Sequence, residues 1–220
     1  VLATLVGGSF WGFSGTSASF LFDTYHVDTL WLMSIRQILA GLLFMAVVVT
    51  RDRERLIKLW TTPADRKQLL LFTAFGLLFN QFCYLSAVRL TNAGTATVLQ
   101  CMAVIPAKIL PEYGSPIVTG SAMLTAGVVS CVFVQPWAHM PALDAAGIEA
   151  LAVFVVIGSF FAYMLYMQGV KDIGSVRASL IGTVEPVSAT ITSAVMLGTV
   201  FLPTDLIGFV MIIVMMFLTV

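Results

Sequence analysis

Gly76–Val104 reads GLLFNQFCYLSAVRLTNAGTATVLQCMAV, and Gly158–Pro186 reads GSFFAYMLYMQGVKDIGSVRASLIGTVEP. The two stretches echo each other at a constant offset of 82 positions, 76 to 158. Gly76 meets Gly158, Phe79 meets Phe161, and Tyr84 meets Tyr166. Val88 meets Val170, Arg89 meets Lys171, Ala96 meets Ala178, and Thr97 meets Ser179. Each stretch is two apolar runs joined by a short polar turn. A helix pair duplicated inside an apolar chain points to a transporter built from internal repeats.

Composition sets the solvent. Of 220 residues, 59% are hydrophobic and 10% charged, with a mean hydropathy of +1.00. A soluble domain carries about 25% charged residues. This chain cannot cover its surface with polar groups, so the lipid bilayer is its expected partner. The net charge of zero gives no reason to expect a nucleic-acid partner. Cys83, Cys101 and Cys131 fall in apolar runs without metal-ligand spacing and read as small buried thiols. No cofactor motif is present, and the absence of a Walker A sequence gives no support to ATP-driven transport.

The apolar runs are Leu2–Leu21, Leu30–Val49, Leu69–Val88, Gly94–Leu110, Ile117–Val134, Leu151–Val170, Val176–Val200 and Leu206–Val220. A helix needs about 20 residues to cross roughly 30 Å of hydrocarbon. Strand alternation is absent, so the fold class expected is an all-α membrane protein with eight transmembrane helices. The first run lacks a basic leader and a cleavage site, which predicts a permanent helix. Arg51, Arg53, Arg55, Lys58, Arg66, Lys67, Lys108, Lys171 and Arg177 all fall on one side if the helices alternate. The other side holds Arg89 with Asp23, Asp28, Asp144, Glu149 and Asp205. The positive-inside rule then puts both termini in the cytoplasm of a multi-pass protein, in the inner membrane if the source is bacterial.

The third and sixth runs match, as do the fourth and seventh, and Ala40-Gly41 in the second resembles Ala126-Gly127 in the fifth. Three crossings separate each pair, so the repeats are inverted. The first and eighth runs lack counterparts, which predicts that two helices are missing between the fourth and fifth. The eight crossings then read as the remnant of a ten-helix, five-plus-five bundle. The join falls near Val104–Pro106, with about 75 residues absent by the size of the repeat. The expected domains are residues 1–105, a truncated first repeat, and 106–220, a second repeat lacking its first helix.

Several motifs carry a family resemblance. They are Trp11-Gly12, IRQILAGLLF around Arg36, YLSAVRLTNAGTATVLQ, PAKILPEYGSPIVTGSAML and GSVRASLIGTVEP. In these the chain resembles the EamA-type branch of the drug/metabolite transporter superfamily. The resemblance implies secondary transport of a small metabolite, often an amino acid, by alternating access. In one departure, Leu197-Gly198 is followed by Thr199 where the family usually has Glu.

Ionisable groups inside a membrane cost about 2.5–3.5 kcal/mol on insertion scales and mark functional sites. Glu185, ten residues past Ser175, sits about 15 Å deep at 1.5 Å per residue. Pro186 follows and removes a backbone hydrogen bond, so a kink is expected with a free carbonyl near Ile181–Gly182. Glu185 is the candidate coupling residue, for a proton or cation. Arg36 is a candidate anion contact. Trp11, Ser14, Asn80, Tyr84, Gln100, Ser159 and Tyr163 complete the expected substrate-binding set, between the two halves near the midplane. Each has a plainer reading as a clamp between helices, worth about 0.6 kcal/mol on average. Gly12-Phe13-Ser14-Gly15 matches the GxSG of intramembrane serine proteases, but His26 and His139 lie in loops, out of reach of Ser14, so no enzyme is expected. The basic stretch Arg51–Lys67 most simply anchors the topology. The expected function is transport of a small-molecule substrate. The alternative is a non-transporting membrane remnant or scaffold left by internal deletion. The apolar surface also admits a homodimer.

Overall fold

We describe the protein from a computed structural model covering residues 1–100, 109–202, 207–211 and 214, with the backbone alone for 97–100, 110 and 175. Among the described residues it is helical without strands. The principal helices are α1 (Leu2–Tyr25), α2 (Thr29–Arg51), α3 (Arg53–Thr61), α4 (Pro63–Leu90), α5 (Ala93–Gln100), α6 (Leu110–Tyr113), α7 (Ser115–Val134) and α8 (Ala145–Ile173). The ninth, α9, runs in two parts, Ser175–Gly182 and Val184–Leu197.

Five of these, α2, α4, α7, α8 and α9, are long and apolar enough to cross a membrane. The chain is therefore an all-α membrane protein. The first expected span, α1, has the length, at 24 residues, but is rich in Gly, Ser and Thr. Its Thr4, Gly8, Gly12, Ser14, Gly15 and Thr16 are buried. A helix surrounded by other helices needs less apolar surface than one facing lipid. The fourth expected span continues past α5, and the eighth runs mostly beyond residue 211, so both fall largely outside the described residues.

Helix ends follow local chemistry. The Asp28 side chain accepts from the N–H groups of Leu30 and Trp31, at 2.9 and 3.1 Å, and so caps α2. Asp144 accepts from Gly147 N at 3.0 Å and caps α8. A carboxylate at a helix start satisfies orphan donors and complements the helix dipole. Prolines occupy the first turns of α4 and α7, where a missing N–H costs nothing. Pro186 has no N–H for the Gly182 carbonyl, and α9 breaks at Thr183, one turn before the proline.

The internal repeat has a structural counterpart. Within α4, Phe72–Phe79 is π-helical, and within α8 so is Val153–Phe161. Shifted by 82, the first stretch falls inside the second. Such wide turns are rare and usually local to functional sites.

The chain forms two compact units. One comprises Val1–His26, Tyr84–Met102 and Ala142–Val220; the other comprises Val27–Cys83 and Ala103–Pro141. In the first unit, α1 packs against α5, α8 and α9. Thr16 Oγ1 lies 2.6 Å from Thr192 Oγ1 and 3.1 Å from Ser193 Oγ, and Ser188 donates to the Ser9 carbonyl at 2.9 Å. These bonds form a polar seam between α1 and α9. At one end, Tyr25 donates to the Asp144 carboxylate. That bond lowers the Asp144 pKa and raises that of Tyr25.

In the second unit, α2 packs along α7. A methyl group at Gly41 would lie 2.5 Å from Leu124 N, and one at Gly127 would lie 2.5 Å from Ile38 N. Only glycine lets the backbones approach this closely. Trp31 Nε1 donates to the Pro136 carbonyl at 3.0 Å. Near α3, Lys58 Nζ pairs with Glu112 at 2.8 Å, and Tyr113 donates to Asp65 at 2.6 Å.

Candidate substrate and coupling site

The first unit gathers most of the residues that the sequence singles out. Trp11, on α1, packs against two tyrosines of α8. Its ring centroid lies 5.0 Å from that of Tyr163, edge-on, and 4.8 Å from that of Tyr166. The helical spacing of Tyr163 and Tyr166, three apart, puts both on one face. Glu185, half-buried just after the break in α9, interacts electrostatically with Tyr166. Helix α1 reaches this place because Gly12 has no side chain: a methyl there would strike the Glu185 carbonyl. Three helices thus bring an indole, two phenols and a carboxylate together.

Ser14 and Ser159 are buried in the same unit. Ser14 donates to the Trp11 carbonyl at 3.0 Å, and Ser159 donates to the Phe154 carbonyl, five residues back, at 3.3 Å. That second bond lies inside the wide turn of α8. A methyl at Gly158 would collide with Ser14, so the two helices cross here in close contact. Both serines therefore serve the backbone and the crossing. Tyr84 is buried, and its hydroxyl would meet a methyl at Gly15 at 2.7 Å. Gln100 ends α5, and its side chain lies outside the described residues.

Arg36 and Asn80 belong to the second unit. Arg36 is buried, and its Nη1 donates to Gln81 Oε1 at 3.1 Å. Asn80 is half-buried at the end of the wide turn of α4. Beside Arg36, the amide of Gln37 is 2% exposed and has no partner among the described residues at either polar atom. A buried amide without partners is costly, so this position matters.

Three residues escape sequence reasoning. Tyr166 is visible as the echo of Tyr84, and that symmetry is a usable signal for it. Gln81 and Gln37 carry no such signal, since adjacent polar residues on a helix point to different faces.

Comparison with known proteins fits this picture. The EamA-like transporter family matches residues 1–110 and again residues 102–220. An uncharacterized inner membrane transporter of Salmonella typhimurium, YicL, is 22% identical over 272 positions, covering 94% of this chain and 90% of that protein. Those positions outnumber the 220 residues here, so part of the relative aligns with no residue of this chain. No solved structure matches. The two family matches together span the whole sequence, and the chain belongs to the EamA-like transporter family.

Proposed function

We propose that this multi-pass membrane protein is a secondary transporter of a small polar metabolite, such as an amino acid, working by alternating access. The observation that carries the reading is Glu185: a half-buried carboxylate beside the break in α9, linked through Tyr166 to Trp11. Carboxylates at broken membrane helices are the usual seats of ion coupling. Within the first unit, Trp11, Tyr163 and Tyr84 contribute apolar and hydroxyl contacts to the substrate, and Ser14 and Ser159 line the helix crossing; Arg36, Asn80 and Gln100 remain the further polar candidates of the expected set. Two repeats of inverted topology support alternating access. The two family matches, the paired wide turns and the reciprocal Gly41 and Gly127 contacts all favour that arrangement. In this reading the chain makes eight crossings of a five-plus-five plan, with both termini cytoplasmic.

A second reading is favoured by the extra length of the aligned relative: an incomplete bundle that inserts but does not transport. Counterflow of a radiolabelled amino acid panel in proteoliposomes tests both. Transport is read for this chain and for a version in which the relative's unmatched segment fills the join near Val104–Pro106. Flux by either protein supports the family activity. Flux by the filled version alone supports the incomplete bundle, and flux by neither contradicts the transporter reading.

A further inference from the structure

The first unit holds a cavity of about 300 Å³ between α1, α8 and α9, separate from the aromatic cluster around Glu185. Its walls include Phe13 and Phe20 from α1, Val153 from α8 and Met196 from α9. Thr16 lines it too, but its hydroxyl is already engaged with Thr192 and Ser193. Glu149 supplies the ionisable group of the lining, and its carboxylate has no hydrogen-bond or ion-pair partner among the described residues. The volume is at the lower end of the range for small-molecule sites, about 300–1,000 Å³.

We infer that this cavity is a binding subsite for a small organic ammonium: an apolar or aromatic body with one cationic nitrogen. The rings of Phe13 and Phe20 offer apolar surface and cation–π attraction, and Glu149 offers the counter-charge. The surroundings are acidic as well. Asp23 lies in the last turn of α1, and Asp144 begins α8 at the same end of the unit, where Tyr25 ties the two helices. Arg89, in the same unit, does not line the cavity. The inference rests on the transport reading only for its purpose: the subsite would collect an amine substrate ahead of Glu185.

The test is equilibrium binding of phenethylammonium to the full chain in zwitterionic nanodiscs by titration calorimetry. Saturable binding is expected, weakened about tenfold in Glu149→Gln, the loss of one charge-assisted contact. Phe20→Ala should weaken it too, and 2-phenylethanol, which lacks the charge, should bind less tightly than the amine. Glu149 is exposed, so its substitution leaves folding intact. No saturable binding to the wild type, equal affinity in Glu149→Gln, or equal affinity for the neutral alcohol would each overturn the subsite. Because no flux is measured, failure here leaves the transport reading standing, and failed counterflow leaves the subsite standing.

Discussion

Gly41 rests against Leu124, and Gly127 rests against Ile38; each glycine contacts the residue three positions before the other. Contacts that exchange partners in this way are the signature of a two-fold relation between the elements that make them. Here the relation joins α2 and α7, the helices that the Ala40-Gly41 and Ala126-Gly127 echo pairs. The crossing should therefore be intolerant at both points. Gly41→Val and Gly127→Val are each expected to cost about 1–3 kcal/mol by overpacking. Thermal unfolding in detergent reads this out, with Gly114→Ala unsuitable as a control because its φ of 78° already disfavours a side chain. Wild-type melting in both variants would show that the helices slide apart freely.

The Arg36–Gln81 bond predicts a different asymmetry. Gln81→Leu leaves a buried guanidinium short of an acceptor and should cost about 1–3 kcal/mol. Arg36→Met removes the charge and its demand together, and should cost less. Melting temperatures of the two variants check the order; a larger loss for Arg36→Met would mean that the charge itself holds the unit together.

The Tyr25–Asp144 bond predicts an acid-side dependence. The Tyr25 hydroxyl holds the Asp144 carboxyl below its ordinary value, and backbone N–H donors add to this. A lowered native pKa favours the charged form, so the stabilisation is present above the unfolded value of about 3.9 and fades as pH falls through the native one. Tyr25→Phe should lower stability near neutrality and flatten the profile in the acid window, so that the two proteins converge at low pH. Identical melting of the two proteins near neutrality would show that the contact carries no weight.

The side assigned to each loop predicts accessibility. Cysteines at Thr61 and Ala142, both exposed, should react with an impermeant maleimide from opposite sides of the membrane, with Thr61 facing the cytoplasm. Labelling of both from one side would contradict the alternating topology.

Much of this architecture is legible in the chain. Helical class, apolar runs and the break before Pro186 follow from local chemistry, and the 82-residue echo foreshadows the matched wide turns. Asp28 and Asp144 show a limit of such reading. Both count toward charge asymmetry in the sequence, yet each also caps a helix, so part of the signal is local. The division into units is not legible, because each unit draws on separated stretches, and only tertiary contact decides which helices α1 meets. For the same reason the expected binding set splits, with Arg36 and Asn80 in one unit and Trp11, Tyr163 and Glu185 in the other. Gln37 and Gln81 differ from other polar residues only in what surrounds them.

The account turns on Glu185, and one measurement addresses it directly. Uptake driven by an imposed pH gradient is compared in proteoliposomes for the filled protein and its Glu185→Gln variant. Gln keeps the shape and hydrogen-bonding capacity but neither binds nor releases a proton, so gradient-driven uptake should vanish while membrane insertion persists. Uptake by Glu185→Gln equal to the wild type, with the same pH dependence, would contradict the assignment and leave Glu185 a structural residue of the α1–α9 seam.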